Sequence, residues 1–399
     1  AWRSLKKRVF EESEAVTPVT GVKKADVDKI IKHCMTLPEG FTPLSKVKRL
    51  LKGAQKLLNA GNYDWAMGEW LAFGTLLLEN HNVRMSGQDV KRGTFSHRHA
   101  IFNDVKTFEE YNRFNNIADK QGQLRIFNSL LSEFAVMGFE YGYSLATPND
   151  LVIWEAQFGD FYNGAQTIVD QYISAAESKW GRMSGLVLLL PHGYAGQGPE
   201  HSSARVERFL QQCAEFNMVV TNISTPANLF HAMRRQLTWN FRKPLVNMSP
   251  KSLLRHPSCV SKIEDFTGKS KFQEVIDDAE TTGKKVKRLL LCSGKVYYDL
   301  YEKRAELNKE HEIAIVRLEQ LYPFPQDQVN AILKKYKAAK EVFWVQEEPV
   351  NMGGWSFVMG RMRRSSIELI SRKASASPAT GYKKVHDAQQ AEILEKALG

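Results

Sequence analysis

The chain has 399 residues and a hydrophobic content of 43%, enough for two or three domains at roughly 100–200 residues each. Its net charge of +11 comes from basic residues scattered through predicted helices, which argues against nucleic-acid binding and favours anionic substrates or partners. Four dispersed cysteines without a Cys-x-x-Cys pair argue against a zinc ribbon and a secreted disulfide framework, so a reducing compartment is expected. No apolar run approaches the roughly 18 residues of a membrane span, and the start lacks a signal-peptide core.

Residues 1–60 are predicted to form a helical connector. They are rich in Lys and Glu, and their apolar positions follow a helical spacing that is interrupted at Pro38 and Pro43. This segment is not expected to carry a site. Because the first residue is not Met, we expect a fragment or a processed chain.

Residues 61–255 alternate between helical and strand patterns. A helix is predicted over Trp65–Leu78. Short β-type runs follow, separated by helical segments, and this alternation is typical of a mostly parallel sheet covered on both faces. The predicted strands are Val83–Ser86, Leu151–Glu155, Leu186–Leu190 and Met218–Asn222.

A second unit of the same kind is predicted over residues 270–399. Polar, turn-rich sequence around Pro257 and Gly268 marks the boundary, and strand–turn–helix repeats resume after it. Its predicted strands are Leu289–Cys292, Ile313–Val316 and Val342–Val345. The expected fold class is therefore α/β, with two doubly wound, mostly parallel-sheet domains after the connector.

Glu133 lies among the apolar positions of a predicted helix, close to its start. A carboxylate in such a position costs free energy unless it is paired or protonated. Taken alone, the pattern favours a carboxylate that caps the helix, because the N-terminal end of the helix dipole attracts negative charge.

Two loops that follow predicted strands carry aromatic and titratable side chains. Gln157, Phe158 and Phe161 follow the first of these strands, and ligands of open α/β sheets bind beyond the carboxyl ends of strands. The two Phe side chains could form a slot for a flat ring or could pack in the core under the turn. His192 and His201 follow the next strand, in a Gly-rich loop that suits close approach to a ligand and proton exchange near neutral pH.

A third block contains Arg92, His97 and His99. The two His residues have the spacing of a metal pair, but no Cys or further His follows at ligand spacing, and Arg98 would repel a cation. Anion binding is the better chemistry for this block. The sequence has no Gly-Lys-Ser/Thr phosphate loop, Gly-x-Gly-x-x-Gly turn or Gly-x-Ser-x-Gly elbow, which weakens kinase, dinucleotide-dehydrogenase and hydrolase interpretations.

Eight blocks in fixed order resemble the thiamine diphosphate enzymes of the transketolase type, and specifically the first component of 2-oxoglutarate dehydrogenase complexes. The resemblance covers residues 60–399. It implies a pyrimidine-binding domain over residues 61–255 and a C-terminal domain over residues 270–399. The blocks are GTFSHRHA (93–100), LSE (131–133), WEAQFGDF (154–161), GPEHSSAR (198–205), PKSLLRHP (250–257), SGKVYYDL (293–300), QLYPFP (320–325) and QEE (346–348).

This resemblance implies that the chain contacts the aminopyrimidine of thiamine diphosphate. Glu133 matches the glutamate that hydrogen-bonds the pyrimidine ring nitrogen, a task for a partly desolvated carboxyl that shares a proton. Phe158, Phe161 and Gln157 would surround the ring. The diphosphate and Mg²⁺ ligands are absent from the matching blocks, so we expect them in a diphosphate-binding half that is supplied in a longer chain or as a separate subunit. We expect this chain to be inactive without that half.

The resemblance also implies the reaction and its partners. The substrate would be 2-oxoglutarate, and the succinyl group would pass to a lipoyl group on the succinyltransferase component. His201 is the first candidate for proton transfer and His192 the second, whereas Arg92, His97 and His99 would line the substrate side.

The same resemblance implies a homodimer through both domains. The expected location is the cytoplasm of a bacterium or the mitochondrial matrix of a eukaryote, with neither nucleic acid nor a membrane as partner. A 2-oxoadipate dehydrogenase, a related 2-oxo acid decarboxylase or carboligase, and a non-catalytic docking fragment are the alternatives.

Overall fold

In the computed structural model, residues 2–281, 283, 285–363 and 365–399 are described. The helix predicted over Trp65–Leu78 is confirmed with the same bounds, and the predicted strands are confirmed to within a few residues. The helices are α1 (Lys24–Met35), α2 (Ser45–Asn59), α3 (Trp65–Leu78), α4 (Glu133–Ala146), α5 (Gln166–Ile168), α6 (Ala176–Trp180), α7 (Val206–Gln211), α8 (Pro226–Thr238), α9 (Val296–Glu306), α10 (Gln326–Lys335), α11 (Trp355–Arg361) and α12 (Lys383–Leu398).

In the described residues the strands form two main sheets and one hairpin. The strands are β1 (Val83–Gly87), β2 (Ile101–Asn103), β3 (Glu110–Asn112), β4 (Leu124–Asn128), β5 (Leu151–Glu155), β6 (Val187–Pro191), β7 (Val219–Thr221), β8 (Leu245–Ser249), β9 (Val275–Ile276), β10 (Arg288–Cys292), β11 (Ile313–Leu318), β12 (Gln320–Tyr322), β13 (Glu341–Pro349) and β14 (Glu368–Arg372). The first sheet has seven strands in the order β12-β7-β8-β6-β5-β1-β4, and the second has five in the order β14-β13-β10-β11-β9.

Both sheets are parallel except at one edge, where β12 and β9 pair antiparallel with their neighbours. The first sheet is covered on both faces. Successive side chains of a strand point to opposite sides of a sheet, and here both sets of side chains are buried. Along β5, Leu151 and Ile153 enter one core, while Val152 and Trp154 enter the other. The predicted fold class of two doubly wound, mostly parallel-sheet units is confirmed.

Helix α1 of the N-terminal segment packs against the first sheet unit instead of lying apart from it. Val27 and Ile30 of α1 are fully buried, and α1 contacts α3. A Cβ at Gly74 would lie 2.7 Å from an Ile30 methyl group, so the glycine permits this close helix contact. Sequence periodicity predicted the helix but not its burial. The boundaries at residues 60, 255 and 270 stay predictions.

Strand β12 belongs to the second unit by its position in the chain, but it pairs with β7 and forms an edge of the first sheet. The buried Glu319 precedes it and accepts hydrogen bonds from the Ser224 backbone N–H at 2.8 Å and from the Ser224 hydroxyl. The two units therefore share a sheet edge and a buried polar contact. Every described helix falls short of the length and apolarity that a bilayer-spanning helix requires.

Candidate functional site

Four loops meet at the carboxyl edge of the seven-stranded sheet. Strands β4, β1, β5 and β6 are parallel neighbours, so the residues that follow them lie along one edge, where open α/β sheets bind ligands. Gln88 follows β1, Gln157 follows β5 and His192 follows β6, while the segment after β4 leads to Glu133.

Glu133 is the first residue of α4. The capping role belongs to its neighbour, because the Ser132 hydroxyl accepts a hydrogen bond from the Ala135 N–H at 3.3 Å. The half-buried Glu133 side chain accepts from Gln88 Nε2 at 3.2 Å and lines a narrow pocket that Gln157 also lines. A partly desolvated carboxyl whose partner is a neutral amide is suited to share a proton with a ligand.

Phe158 and His201 form the centre of an aromatic group beside this pocket. Their ring centroids are 4.4 Å apart, with the rings nearly perpendicular. The Phe161 ring lies 5.9 Å from both, and the Phe95 ring lies 5.4 Å from Phe158. Gln157, which lines the Glu133 pocket, directly precedes Phe158 in the chain, so the aromatic group belongs to the segment that leaves this pocket.

Gly159 allows the Phe158 loop to approach the loop that carries His201. A Cβ at this position would lie 2.5 Å from the Ala204 Cβ and 2.7 Å from the Pro191 carbonyl oxygen, closer than any larger residue permits. Asp160 Oδ1 then accepts from the backbone N–H groups of Ser202 and Ser203, at 3.1 and 3.0 Å. Glycine and carboxylate together fasten the two loops.

His192 is buried, and both of its ring nitrogens are engaged. Nδ1 accepts from the Ala204 N–H at 3.1 Å, and Nε2 lies 2.8 Å from Glu348 Oε1. Burial lowers the pKa of His192, but the Glu348 carboxylate outweighs burial and the net shift is upward. These contacts favour a positioning role, and proton transfer by His192 stays a prediction.

The three residues predicted for the substrate side occupy different environments, and none of them lines the Glu133 pocket. Arg92 is half-buried and donates to Asp89 Oδ2 at 2.7 Å. Burial lowers the pKa of His99 to about 4, so its ring is neutral near pH 7. His97 is buried in the wall of a second cavity, of about 570 Å³, whose basic residues are Lys46, Arg49, Arg255 and His256. Contact of Arg92, His97 and His99 with substrate stays a prediction.

Comparison with known proteins assigns a family to both units. The family model described as "Transketolase, pyrimidine binding domain" matches residues 62–257. The model described as "2-oxoglutarate dehydrogenase C-terminal" matches residues 260–398. The chain belongs to the 2-oxoglutarate dehydrogenase family.

Relatives in this family come from animals and bacteria. The chain is 49% identical to the protein named "2-oxoglutarate dehydrogenase, mitochondrial" of Caenorhabditis briggsae, over 96% of this chain and 40% of the relative. It is 48% identical to the "2-oxoglutarate dehydrogenase E1 component" of Brucella anthropi, over 95% of this chain and 40% of the relative. The chain thus spans about 40% of the length of these relatives. The predicted resemblance to the first component of 2-oxoglutarate dehydrogenase complexes is confirmed.

Arg98 is a central residue of this chain of the 2-oxoglutarate dehydrogenase family. From the sequence, the only role predicted for Arg98 was to repel a metal cation. Its fully buried guanidinium donates to Glu69 of α3 at 2.9 Å and to Glu155, the last residue of β5, at 2.5 Å. Burial raises the pKa of Glu69, but the charges and hydrogen bonds of Arg98 and His97 together outweigh burial and bring that pKa to about 2. Arg98 therefore fixes the end of the strand that leads into the Phe158 loop.

Glu69, His97 and Glu155 also have the geometry of a metal site, with one candidate ligand atom from each within 4.8 Å of the others. Arg98 supplies the positive charge between the two carboxylates and binds both of them. We therefore assign this cluster a structural role.

Lys251 is a second residue that the sequence left without a role. It is buried, donates to Gln197 Oε1 at 2.7 Å and to the His201 carbonyl oxygen, and lies 5.9 Å from the Phe158 ring centroid. Burial lowers the pKa of Lys251 to about 8. Its ammonium holds the His201 backbone and adds positive charge beside the aromatic group.

Proposed function

We propose that this chain supplies the aminopyrimidine side of a thiamine diphosphate site in a 2-oxoglutarate dehydrogenase E1 component. The observation that carries the proposal is Glu133, a half-buried carboxyl at the start of α4 that is bound to a neutral amide. It lines a pocket with Gln157, the residue that precedes Phe158 in the chain. An aminopyrimidine presents a flat ring with a nitrogen acceptor at its edge, and the carboxyl and the Phe side chain match these two features.

When bound, thiamine diphosphate supplies the nucleophilic carbon and electron sink that the decarboxylation of a 2-oxo acid requires. Glu133 holds a proton on its carboxyl and shares it with the ring nitrogen. Phe158 and Phe161 orient the ring and exclude water. Gln157 lines the same pocket as Glu133. His201, which packs on Phe158, is our candidate for proton exchange with the substrate.

The diphosphate and its Mg²⁺ are proposed to bind outside these residues. A hard cation needs a set of oxygen ligands, and the relatives extend well beyond the part that this chain matches. We therefore expect activity only when a diphosphate-binding half is supplied.

The proposed substrate is 2-oxoglutarate, and the proposed acceptor is the lipoyl group of a succinyltransferase. This is tested by mixing the chain, a diphosphate-binding half from a relative, cofactor and a lipoyl domain, and measuring the mass of that domain by mass spectrometry. A succinyl adduct is the expected product. Carbon dioxide release without the adduct would favour a decarboxylase, and a longer adduct obtained only from 2-oxoadipate would favour the 2-oxoadipate enzyme.

A homodimer is proposed through the surface around β4 and α4, which we call the β4–α4 patch. Five large apolar side chains of this segment are exposed, and two of them, Leu130 and Leu131, are 83% and 82% exposed. Contiguous exposed apolar surface marks an interaction site, and Glu133 lies within this segment, so a second copy would cover the candidate site. The patch residues are Phe127, Leu130, Leu131, Phe134 and Phe139.

Leu131→Asp is expected to weaken the dimer by about 10- to 100-fold in Kd, because burying a leucine contributes about 1.5–3 kcal/mol. Sedimentation velocity over a concentration series measures this change. Phe108→Asp, at an 81% exposed position between β2 and β3, is the matched control and should leave the dimer intact. An unchanged dimer in Leu131→Asp would reject the β4–α4 patch as the interface.

The cellular location follows from the relatives as a proposal. Two relatives are named as mitochondrial and others are bacterial, so we propose the mitochondrial matrix for a eukaryotic source and the cytoplasm for a bacterial one. In the described residues the four cysteines are free, and three of them are buried, in keeping with a reducing compartment.

A further inference from the structure

The loop that carries His201 is held at five backbone groups of four consecutive residues, 201–204. Lys251 donates to the carbonyl of His201, and Asp160 accepts from the N–H groups of Ser202 and Ser203. The Ser202 carbonyl accepts from the Gly193 N–H at 2.9 Å. The Ala204 N–H donates to His192 Nδ1 at 3.1 Å. A loop fastened this densely has little freedom to move His201 away from Phe158.

One of these contacts leads into the second sheet unit. His192 Nε2 lies 2.8 Å from Oε1 of Glu348, which lies near the end of β13. Because the Ala204 N–H occupies Nδ1, the neutral His192 ring carries its proton on Nε2 and donates it to Glu348. Glu348 thereby selects the tautomer whose Nδ1 lone pair accepts from Ala204.

The surroundings of this pair are buried. Glu348 and His192 are each no more than 7% exposed, so water cannot replace either partner without opening the contact between the two units. An uncompensated carboxylate or imidazole here costs free energy. The pair is therefore a fixed link and not a surface contact.

We propose that Glu348 of the C-terminal unit, acting through His192, positions the His201 loop against Phe158. Glu348 and His192 act here as positioning residues, because they set where the His201 imidazole stands. The C-terminal unit thereby contributes to the site from the far side of the His201 loop. This inference rests on the proposed function only in the role it assigns to His201.

The first test follows the His201 imidazole by NMR in the chain labelled at histidine, with His201→Gln used to assign its signals. The Phe158 ring lies 4.4 Å away, so His201 protons carry a ring-current shift that depends on their position. Glu348→Ala should move these signals toward the positions of free histidine. Glu348→Gln, whose amide oxygen still accepts from Nε2, should restore most of the shift.

Glu341→Gln is the matched control, because Glu341 begins the same strand and pairs with Arg288 at the surface. It should leave the His201 signals unchanged. If Glu348→Ala does not fold, His192→Asn and His192→Gln each break one end of the link and should release His201. Unchanged His201 signals in a folded Glu348→Ala, or in both His192 variants, would overturn the proposal.

The second test measures turnover with an added diphosphate-binding half. Glu348→Ala should lower kcat on the order of 10- to 100-fold, as expected when a reacting group is displaced by about 1 Å, and Glu348→Gln should recover most of it. The two tests separate the two claims. If His201 moves as expected but the unsubstituted chain shows no turnover, the proposed function fails while the positioning role stands.

Discussion

Glu133→Gln is expected to reduce turnover by about 10²- to 10⁴-fold when the chain is assayed with a diphosphate-binding half. A glutamine can donate or accept a hydrogen bond at the pyrimidine nitrogen, but it cannot hold and share the proton that a carboxyl shares. The fold should survive, because Ser132 caps α4 and Glu133 pairs with a neutral amide. Loss of the favourable interaction with the helix dipole should cost only about 0.3–1 kcal/mol.

The measurement is steady-state formation of acylated lipoyl domain, with thermal unfolding measured in parallel. Glu109→Gln, at an exposed position before β3, is the control and should retain full activity. Undiminished turnover in a folded Glu133→Gln would favour the docking-fragment alternative over the catalytic one.

Arg98→Met is expected to lower the free energy of unfolding by about 3–5 kcal/mol at pH 7, because it leaves Glu69 and Glu155 buried without their counter-charge. Two ionised carboxylates cannot hydrogen-bond to each other, because neither has a proton to donate. Their mutual repulsion therefore adds to the cost of burying them. Urea denaturation measures the change. Lys303→Met, which breaks the exposed pair with Glu306, is the control and should have little effect.

The loss should depend on pH in a defined direction. Against the effect of burial, Arg98 and His97 together lower the pKa of Glu69 from 4.5 to about 2, and the Arg98 charge is the largest single cause of that lowering. A carboxyl whose pKa is lower in the folded state contributes stability that is present above pH 4.5 and disappears as the pH falls toward 2. The difference between the unsubstituted chain and Arg98→Met should therefore shrink over this range. A difference that stays constant down to pH 2 would show that Glu69 does not depend on Arg98.

Local patterns in the sequence predicted the elements but not the long-range contacts. The spacing of apolar residues was sufficient for α3 and β5, and Glu133 was expected near a helix start. Strands β4, β8 and β14, of five residues each, were missing from the predicted strands, as were the shorter β2 and β3. The short edge strands β9 and β12 were also missed, because two or three residues carry no periodicity. Their edge pairing depends on tertiary contacts.

In the candidate site, too, the sequence predicted local features but not long-range contacts. Strand ends correctly pointed to the edge where Gln157 and His192 lie, since the carboxyl ends of parallel strands share one edge. The contact of His192 with Glu348 joins residues 156 positions apart, and the burial of Lys251 depends on the packing of several loops. Arg98 was interpreted only as a cation that repels a metal, because the sequence does not show which carboxylates surround it.

The measurement that tests the central claim most directly is calorimetric titration of the chain with thiamine diphosphate and Mg²⁺, with and without a diphosphate-binding half. We predict binding only in the presence of that half, and weaker binding when Glu133 is replaced by Gln. Tight binding to the chain alone would contradict this account, because it would require a diphosphate and metal site within these residues.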